Sequence, residues 1–497
     1  MTRFSPARPR FWASCACFLT ALFVLFAWRT TAVGQQRRAV ETKAQTKPQP
    51  KPASKHAGPK KFFVIAPEAF HPALAEYLEY KRSVRPTVLI SLEKVLKSNA
   101  GLDDPERLKH FLYNAWHKQR LGYVLLVGDV DVMPVRYMVL DRKTPAAFDY
   151  AFYPSDLYYA DLARKDGSFD DWNAVKEGFH RFYIGEVRGE NFKRDPINYD
   201  QITYEPKIAF GRWPVSTEQQ VRTVATKTIA YEKSIRDGTH PGLRRADFFN
   251  TAGYVDVRDR MTAWARELPP GWSAGRYFYT DDKKPYHTPP PDEAHVMEAA
   301  DRGCALIAHV GHGSDNSWFK SISTRGLSKL KDADRLPVMI SVGCSTANFA
   351  PLPPYSAYVD VDGKEHAGTN AKEVFRAPPP PPSPYQKGKY NPTGLGEQLL
   401  KHPDTGAVIY IGCNTGAQPC AISLLEGFLT VMRKPEPPLV GDCWVSAIRY
   451  YHQKERLAQL VPNNDWYPPS IFFQGEKFMF FGDPTLPFAH SPPVAAK

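Results

Sequence analysis

A histidine and a cysteine, each placed after an apolar run and each flanked by glycine, are the residues of this sequence best suited to chemistry. The apolar run 305–310 leads into Gly-His-Gly, with His312 at its centre, and the apolar run 336–342 leads into Gly-Cys, with Cys344. Consecutive parallel strands are usually neighbours in a sheet, and ligands bind beyond their carboxyl ends. We therefore expect both side chains to face one crevice.

A thiol and an imidazole in one crevice are typical of nucleophilic catalysis. A free thiol with a pKa of about 8.5 is only a few per cent thiolate at neutral pH, so an adjacent imidazole that takes its proton supplies the activation. The N–H groups of Gly313 and Cys344 are candidate donors to an oxyanion, and His312 would later protonate the leaving amine. The pattern predicts His312, Cys344 and Gly313 as catalytic residues.

Structural and metal-binding interpretations of these residues stay open. A single buried histidine or cysteine is more often structural than catalytic, although two of them at glycine-flanked strand ends favour catalysis. His309 and His312 also form an H-x-x-H pair. Because residues three apart on a strand point to opposite faces, both could bind one zinc ion only if the strand ended before His312.

The elements that must position these residues alternate between short apolar runs and amphipathic helix patterns. Strands that are apolar on both faces and separated by helices indicate a parallel sheet covered on both sides. The predicted strands at 62–66, 123–127, 246–252, 305–310, 338–342 and 407–411 follow this pattern. The predicted fold class is therefore α/β.

Composition divides the chain into five predicted segments. They are 1–34, a signal peptide or N-terminal anchor; 35–60, a disordered linker rich in Lys, Pro and Gln; 61–240, an N-terminal α/β subdomain with a loop-rich insertion; 241–487, a catalytic α/β subdomain; and 488–497, a tail. The catalytic subdomain carries a Pro-rich insertion at 351–392, with a turn at 361–363. We expect this insertion to be an exposed loop or flap that covers the cleft or docks a partner.

The N-terminal residues account for most of the net charge and predict export. The formal net charge is +12, of which residues 1–60 carry +10 from 11 basic residues and one acidic residue. The rest is nearly neutral, which argues against a nucleic-acid partner. Three arginines precede the apolar run 11–28, as in an export signal, and an uncleaved membrane anchor is the alternative. We expect a secreted, periplasmic or cell-envelope protein.

Five cysteines follow the N-terminal apolar run, namely Cys304, Cys344, Cys413, Cys420 and Cys443. An odd number in a compartment that permits disulfides leaves at least one thiol unpaired or bonded between molecules. Such a thiol is either a buried apolar side chain or a nucleophile.

Longer motifs surround the two candidate residues. They are GHGSDNSW at 311–318 and SVGCSTANF at 341–349, with the histidine before the cysteine. These motifs resemble the gingipain family, in the caspase-like clan of cysteine peptidases. Similar blocks lie at 125–131, 155–160, 211–215, 406–412 and 481–486. Together they span most of the chain from 61 to 487, in the order of the family.

The resemblance implies a fold and a reaction. The fold would be a caspase-like, mostly parallel sheet flanked by helices, in two side-by-side α/β subdomains. The reaction would be cleavage of a peptide bond through an acyl-thioester, with His312 as acid and base and Cys344 as nucleophile. That chemistry requires no cofactor. No residue is assigned to orient His312, although Asp315 and Asp256 are candidates.

The resemblance also implies ligand sites outside the dyad. Family members commonly bind structural calcium, for which Asp166, Asp170 and Asp171 are candidates, with solvated loop acids as the alternative. Gingipains proper cleave after basic residues through an acidic pocket. Asp256 is the carboxylate that we expect to face the crevice and bind substrate, with a helix N-terminal acid as the alternative.

Three functions fit the sequence. The first is an exported cysteine endopeptidase that acts on protein or peptide substrates through a Cys-His dyad. The second is a transpeptidase or sorting-type enzyme with the same dyad, which gives the acyl group to an amine instead of water. The third is a non-catalytic, peptidase-like surface module. Fast alkylation of Cys344 would separate the first two from the third.

Overall fold

The structure is a computed structural model. It describes residues 58–139, 152–172, 197–198, 201–239, 243–254, 257–280, 287–331, 335–376, 379–391, 393–403, 405–434, 439–461 and 467–488. The predicted signal or anchor at 1–34, nearly all of the predicted linker and tail, and Asp256 lie outside these ranges. Within them, no helix has the length and apolar character that a membrane crossing requires.

The described residues form one large, mostly parallel sheet and three two-stranded antiparallel sheets. The strands are β1 (Lys61–Ala66), β2 (Thr87–Ser91), β3 (Leu121–Val127), β4 (Tyr137–Val139), β5 (Phe152–Pro154), β6 (Ala209–Trp213), β7 (Leu243–Asn250), β8 (Ser273–Phe278), β9 (Cys304–Val310), β10 (Gly313–Ser314), β11 (Ser317–Trp318), β12 (Val338–Val342), β13 (Tyr358–Val359), β14 (Glu365–His366), β15 (Ile409–Cys413) and β16 (Phe478–Phe481). The order in the large sheet is β2-β1-β3-β6-β16-β15-β12-β9-β7-β8.

Helices cover both faces of this sheet. They are α1 (Ala75–Val84), α2 (Leu92–Ser98), α3 (Asp104–Gln119), α4 (Glu218–Arg236), α5 (Val257–Arg266), α6 (Glu293–Arg302), α7 (Leu395–Lys401), α8 (Ile422–Met432), α9 (Val440–Lys454) and α10 (Tyr467–Gln474). Alternate residues of each strand enter two separate hydrophobic cores, one containing Phe63 and one containing Phe62. Burial on both faces explains the continuous apolar runs in the sequence, and the predicted α/β fold class is confirmed.

The two halves of the chain meet at β16. Strands β1, β2, β3 and β6 come from residues before 214, and the remaining strands of the large sheet come from residues after 242. Strand β16 runs antiparallel to β15 and pairs with β6 through Phe481 and Arg212. One sheet therefore contains strands from both sides of residue 240. The predicted boundary between two subdomains at this residue stays a prediction.

The Pro-rich insertion is anchored to the protein by backbone hydrogen bonds. Strands β13 and β14 form the predicted hairpin around the turn at 361–363, which confirms the turn. The Val361 N–H donates to the Pro381 carbonyl at 3.0 Å, so the proline run lies beside this hairpin. The buried Gln386 donates its backbone N–H to the Val130 carbonyl at 2.9 Å. These hydrogen bonds hold the end of the segment onto the loop after β3, whereas most residues from 361 to 376 are exposed, and the predicted flap stays a prediction.

Candidate active site

The candidate histidine and cysteine lie at equivalent positions on neighbouring strands. Val310 and Val342 are register partners where β9 and β12 end. The Gly311 N–H donates to the Val342 carbonyl at 3.2 Å, so the ladder continues one residue further. His312 and Cys344 each follow this pair by two residues. The parallel register therefore brings both residues to the same edge of the sheet, as the sequence predicts.

Two glycines allow the close approach of backbone and side chains at this edge. A Cβ atom on Gly313 would lie 2.9 Å from the Cys344 carbonyl oxygen and 2.5 Å from Thr346 Cγ2. A Cβ atom on Gly253, which follows β7, would lie 3.0 Å from His312 Nε2. Real Cβ atoms do not approach carbonyl oxygens this closely, so only glycine at 313 lets the ends of β9 and β12 converge.

The chain turns sharply directly after the candidate nucleophile. Ser345 has a φ of 58°, in the left-handed region that non-glycine residues rarely adopt. Its N–H donates to the Thr415 carbonyl at 2.6 Å, and that of Ala347 donates to the Cys413 carbonyl at 2.9 Å. These bonds to the end of β15 hold the turn, which leaves the Cys344 thiol half-buried rather than enclosed.

The imidazole of His312 is exposed and is held mainly through its own backbone. Its N–H donates to the Ala252 carbonyl at 2.9 Å, and its carbonyl accepts from the Phe319 N–H at 2.9 Å. The Phe319 ring meets the imidazole edge-on, with ring centroids 6.1 Å apart. Among the described residues, no hydrogen bond joins Asp315 to the imidazole. Asp256, the other candidate for orienting it, lies outside them.

The other histidine of the H-x-x-H pair is a structural side chain. His309 is fully buried, its Nδ1 lies 2.8 Å from Ser341 Oγ, and its Nε2 lies 3.0 Å from Thr251 Oγ1. Its ring stacks on Trp318 with centroids 4.5 Å apart. Burial, together with the nearby His312, lowers the pKa of His309 to about 3. Both ring nitrogens are occupied by hydroxyls, which favours a neutral core residue over a zinc ligand.

Cys344 differs from the other described cysteines in its access to solvent. All five described cysteines are free thiols, which confirms that at least one is unpaired. Burial raises the pKa of Cys413 to about 12 and that of Cys420 to about 11, and it also raises those of Cys304 and Cys443. A thiol that stays protonated is a poor nucleophile. Only Cys344 among these five is partly exposed.

The acids predicted as calcium ligands have other partners. Asp166 accepts from the Ser168 hydroxyl at 2.6 Å. Asp170 and Asp171 lie 3.7 Å and 3.5 Å from nitrogens of Arg164. Within the described part of the chain, no group of three or more His, Cys, Asp or Glu side chains has the arrangement of a metal site. Structural calcium stays a prediction.

The structure adds a wall to the crevice that sequence reasoning missed. The Tyr254 hydroxyl donates to the Ala417 carbonyl at 3.0 Å, and Cys344 Sγ lies 3.8 Å from the same oxygen. Tyr254, which follows β7, and the segment after β15 therefore border the thiol. Tyr254 follows a glycine at a strand end, as His312 and Cys344 do, and that shared pattern is the signal that could have identified it.

The fold now defines a class of protein. Six strands follow the order β16-β15-β12-β9-β7-β8, and only β16 is antiparallel to the others. The histidine and the cysteine lie just beyond the ends of two adjacent strands of this set, β9 and β12. This is the fold of the caspase-like cysteine peptidases. The model of "Peptidase family C25" matches residues 55–489, and the chain belongs to this family of cysteine peptidases.

Curated relatives and solved structures agree with the family. Gingipain R2 of Porphyromonas gingivalis strain W83 is 20% identical over 58% of this chain and 32% of its own length. A gingipain R1 of Porphyromonas gingivalis is 23% identical over 32% of this chain and 16% of its own. This chain therefore spans about a third or less of these relatives.

Two solved structures share the fold. The Arg-specific cysteine proteinase gingipain R superposes with a TM-score of 0.54 at 15% identity, over 88% of this chain and 80% of that chain. The complex of Porphyromonas gingivalis RgpB pro- and mature domains gives a TM-score of 0.53 at 15% identity, over 86% and 79%. These comparisons confirm the predicted caspase-like fold and the resemblance to gingipains.

Proposed function

We propose that this protein is an exported cysteine endopeptidase that cleaves peptide bonds through a dyad of Cys344 and His312. The observation that carries the proposal is the parallel register of β9 and β12, which brings the two residues to one sheet edge. The half-exposed thiol among four buried ones supports the choice of nucleophile. The export signal at the N-terminus, from its arginines and apolar run, supports action outside the cytoplasm.

The reaction has two steps. His312 takes the thiol proton, and Cys344 Sγ attacks the carbonyl carbon of the scissile bond, which gives a tetrahedral oxyanion. The C–N bond then breaks, His312 gives its proton to the leaving amine, and the acyl group stays on sulfur as a thioester. In the second step His312 removes a proton from water, and the resulting hydroxide attacks the thioester carbon. The C–S bond then breaks, and His312 returns the proton to the thiolate, which releases the acid and the free thiol.

The oxyanion would be stabilised by backbone N–H groups at the two strand ends. Among the described residues, the Cys344 N–H has no hydrogen-bond acceptor, and it lies 3.4 Å from the position of a Cβ atom on Gly313. An N–H that lacks an acceptor at a tight turn is suited to an oxygen that gains charge during the reaction. Because Gly313 has no side chain, the Cys344 N–H can lie close to the segment that carries His312.

The test is cleavage of a peptide library by the purified protein, compared with the Cys344→Ala variant, under reducing conditions. The proposal predicts cleavage sites that occur only with the wild-type protein. Addition of an amine such as glycinamide separates the two enzyme functions, because a transpeptidase would form new amides instead of free carboxyl ends. Identical digests from both proteins would contradict the proposal. The role of Asp256 in substrate binding, two residues after Tyr254, stays a prediction.

A further inference from the structure

A cavity of about 350 Å³ opens beside His312, beyond the carboxyl ends of β7 and β8. Its lining includes Ala252, Phe278, Thr288, Pro291 and Phe319. The cavity adjoins the imidazole in two places, since Ala252 binds the His312 backbone and the Phe319 ring meets the imidazole. Its volume is within the range of pockets that bind small ligands or single large side chains.

The order of the strands fixes the side of the dyad on which this cavity lies. From β12, which carries Cys344, the order runs through β9, which carries His312, to β7 and β8. The cavity is therefore on the histidine side. Ala417, which follows β15, lies on the cysteine side, and Tyr254, which follows β7, reaches it through a hydrogen bond.

The direction of the reaction assigns a part of the substrate to each side. After attack by sulfur, the acyl half of the substrate remains on Cys344, whereas the leaving amine must reach the imidazole that protonates it. We propose that the cavity is the subsite for an apolar side chain in the first two residues after the scissile bond. The proposal rests on the proposed function, because it requires His312 to be the acid.

The lining selects the chemistry of the occupant. Phe278, Phe319 and two prolines form apolar walls, and Phe319 keeps 43% of its surface exposed although it is a large aromatic side chain. Exposed aromatic side chains beside a pocket are typical of recognition surfaces. The buried Thr288 hydroxyl has no hydrogen-bond partner among the described residues. It is the polar group available to a hydroxyl such as that of tyrosine.

The charged residues at the cavity do not favour a charged occupant. Asp292 caps α6 by accepting from the His295 N–H at 3.1 Å, and the same oxygen lies 2.7 Å from His295 Nδ1. Lys320 is exposed at the rim, where its ammonium group lies 5.3 Å from the centroid of the Phe319 ring. An acidic or basic side chain would lose hydration inside the apolar walls without gaining a buried partner. Leucine, methionine, phenylalanine and tyrosine fit best.

The experiment compares two kinds of substrate for one variant. Thr288→Trp fills the cavity, and Thr430→Trp, on the exposed face of α8, is the matched control. The peptide substrates carry one acyl-side sequence taken from the library digest and differ only in the first two residues after the cleaved bond. The second substrate joins the same acyl sequence to aminomethylcoumarin, a fluorescent leaving group that reports whether a variant remains an active enzyme.

We expect the wild-type protein to prefer apolar over acidic residues on the leaving side by about tenfold in kcat/KM. Thr288→Trp should remove this preference while it still releases aminomethylcoumarin, and Thr430→Trp should keep the preference. Indifference of the wild-type protein to leaving-side residues, or a preference that survives Thr288→Trp, would overturn the subsite. Loss of coumarin release in Cys344→Ala tests the proposed function separately.

Discussion

Two histidines three residues apart have different environments because of residues that lie elsewhere in the sequence. The His309 side chain is buried in the core, between the hydroxyls of Ser341 on β12 and Thr251 after β7. His312 lies two residues after the end of β9 and is exposed. The sequence predicts the strand end that separates them, through Gly311. It does not predict the hydroxyl partners, because these come from two other strands whose register only the folded sheet defines.

At the residue scale, we predict that His309 makes the protein less stable in mild acid. Its folded pKa is about 3, against about 6.5 when unfolded, so only the unfolded chain gains a proton between these values. Stability is then lost as pH falls from about 6.5 towards 3. When the pH falls from 6.5 to 4.5, the free energy of unfolding of the wild-type protein should decrease by about 2 kcal/mol more than that of His309→Gln.

Urea denaturation at both pH values measures this difference. The exposed His117→Gln variant is the control, and it should follow the wild-type pH dependence. An equal loss of stability in wild type and His309→Gln would show that His309 accepts a proton in the folded state.

The elements that hold the site are the part of the fold that the sequence predicts best. Strand β12 is observed at Val338–Val342, as predicted, and β9 begins one residue before its predicted start. Both are long apolar runs that end in glycine, which leaves little ambiguity. Strands β8 and β16 were missed. Strand β8, SAGRYF, mixes polar and apolar residues as an edge strand does, and β16 is a run of only four residues directly after helical turns.

At the element scale, we predict that Gly313→Ala damages catalysis more than folding. The new methyl group would overlap the Cys344 carbonyl and Thr346 Cγ2, and would push the ends of β9 and β12 apart. The substitution keeps the backbone N–H of residue 313, so it changes the positions of the groups at the site and removes none of them. Since misplacement by about 1 Å can cost on the order of 100-fold in rate, we expect at least a tenfold loss of kcat.

Gly388→Ala is the matched control, because a methyl group there meets nothing within 4 Å. Kinetics on a library-derived peptide and thermal unfolding of both variants check the prediction. A Gly313→Ala protein with wild-type kcat, or one that loses activity only through unfolding, would contradict it.

The whole sheet depends on contacts between distant parts of the chain that local sequence patterns do not reveal. Lys81 on α1 lies 2.5 Å from Glu232 on α4 and 2.9 Å from Asp483 after β16, and all three side chains are fully buried. The Tyr77 hydroxyl also donates to Asp483, at 2.8 Å. Asp483 belongs to the family-like block at 481–486. The structure shows that it also ties the end of the chain to α1 and α4.

At this scale, we predict that Lys81→Met destabilises the protein by about 3 kcal/mol, because the buried Asp483 loses its cation and the buried Glu232 keeps only its pair with Arg236. Urea denaturation at pH 7.5 measures the loss. Arg222→Met is the control, since its pair with Glu218 is exposed and should contribute less than about 1 kcal/mol. Equal effects of the two substitutions would contradict a structural role for the buried cluster.

The rate at which iodoacetamide alkylates each cysteine shows whether His312 activates Cys344. Mass spectrometry of peptides from the protein labelled at pH 7.5 gives the rate for each thiol. We predict that Cys344 reacts at least tenfold faster than Cys413, Cys420 and Cys443, that His312→Ala slows the reaction of Cys344 at least tenfold, and that the exposed His117→Ala control does not. Equal rates for all the thiols, or a Cys344 rate that His312→Ala leaves unchanged, would contradict the claim.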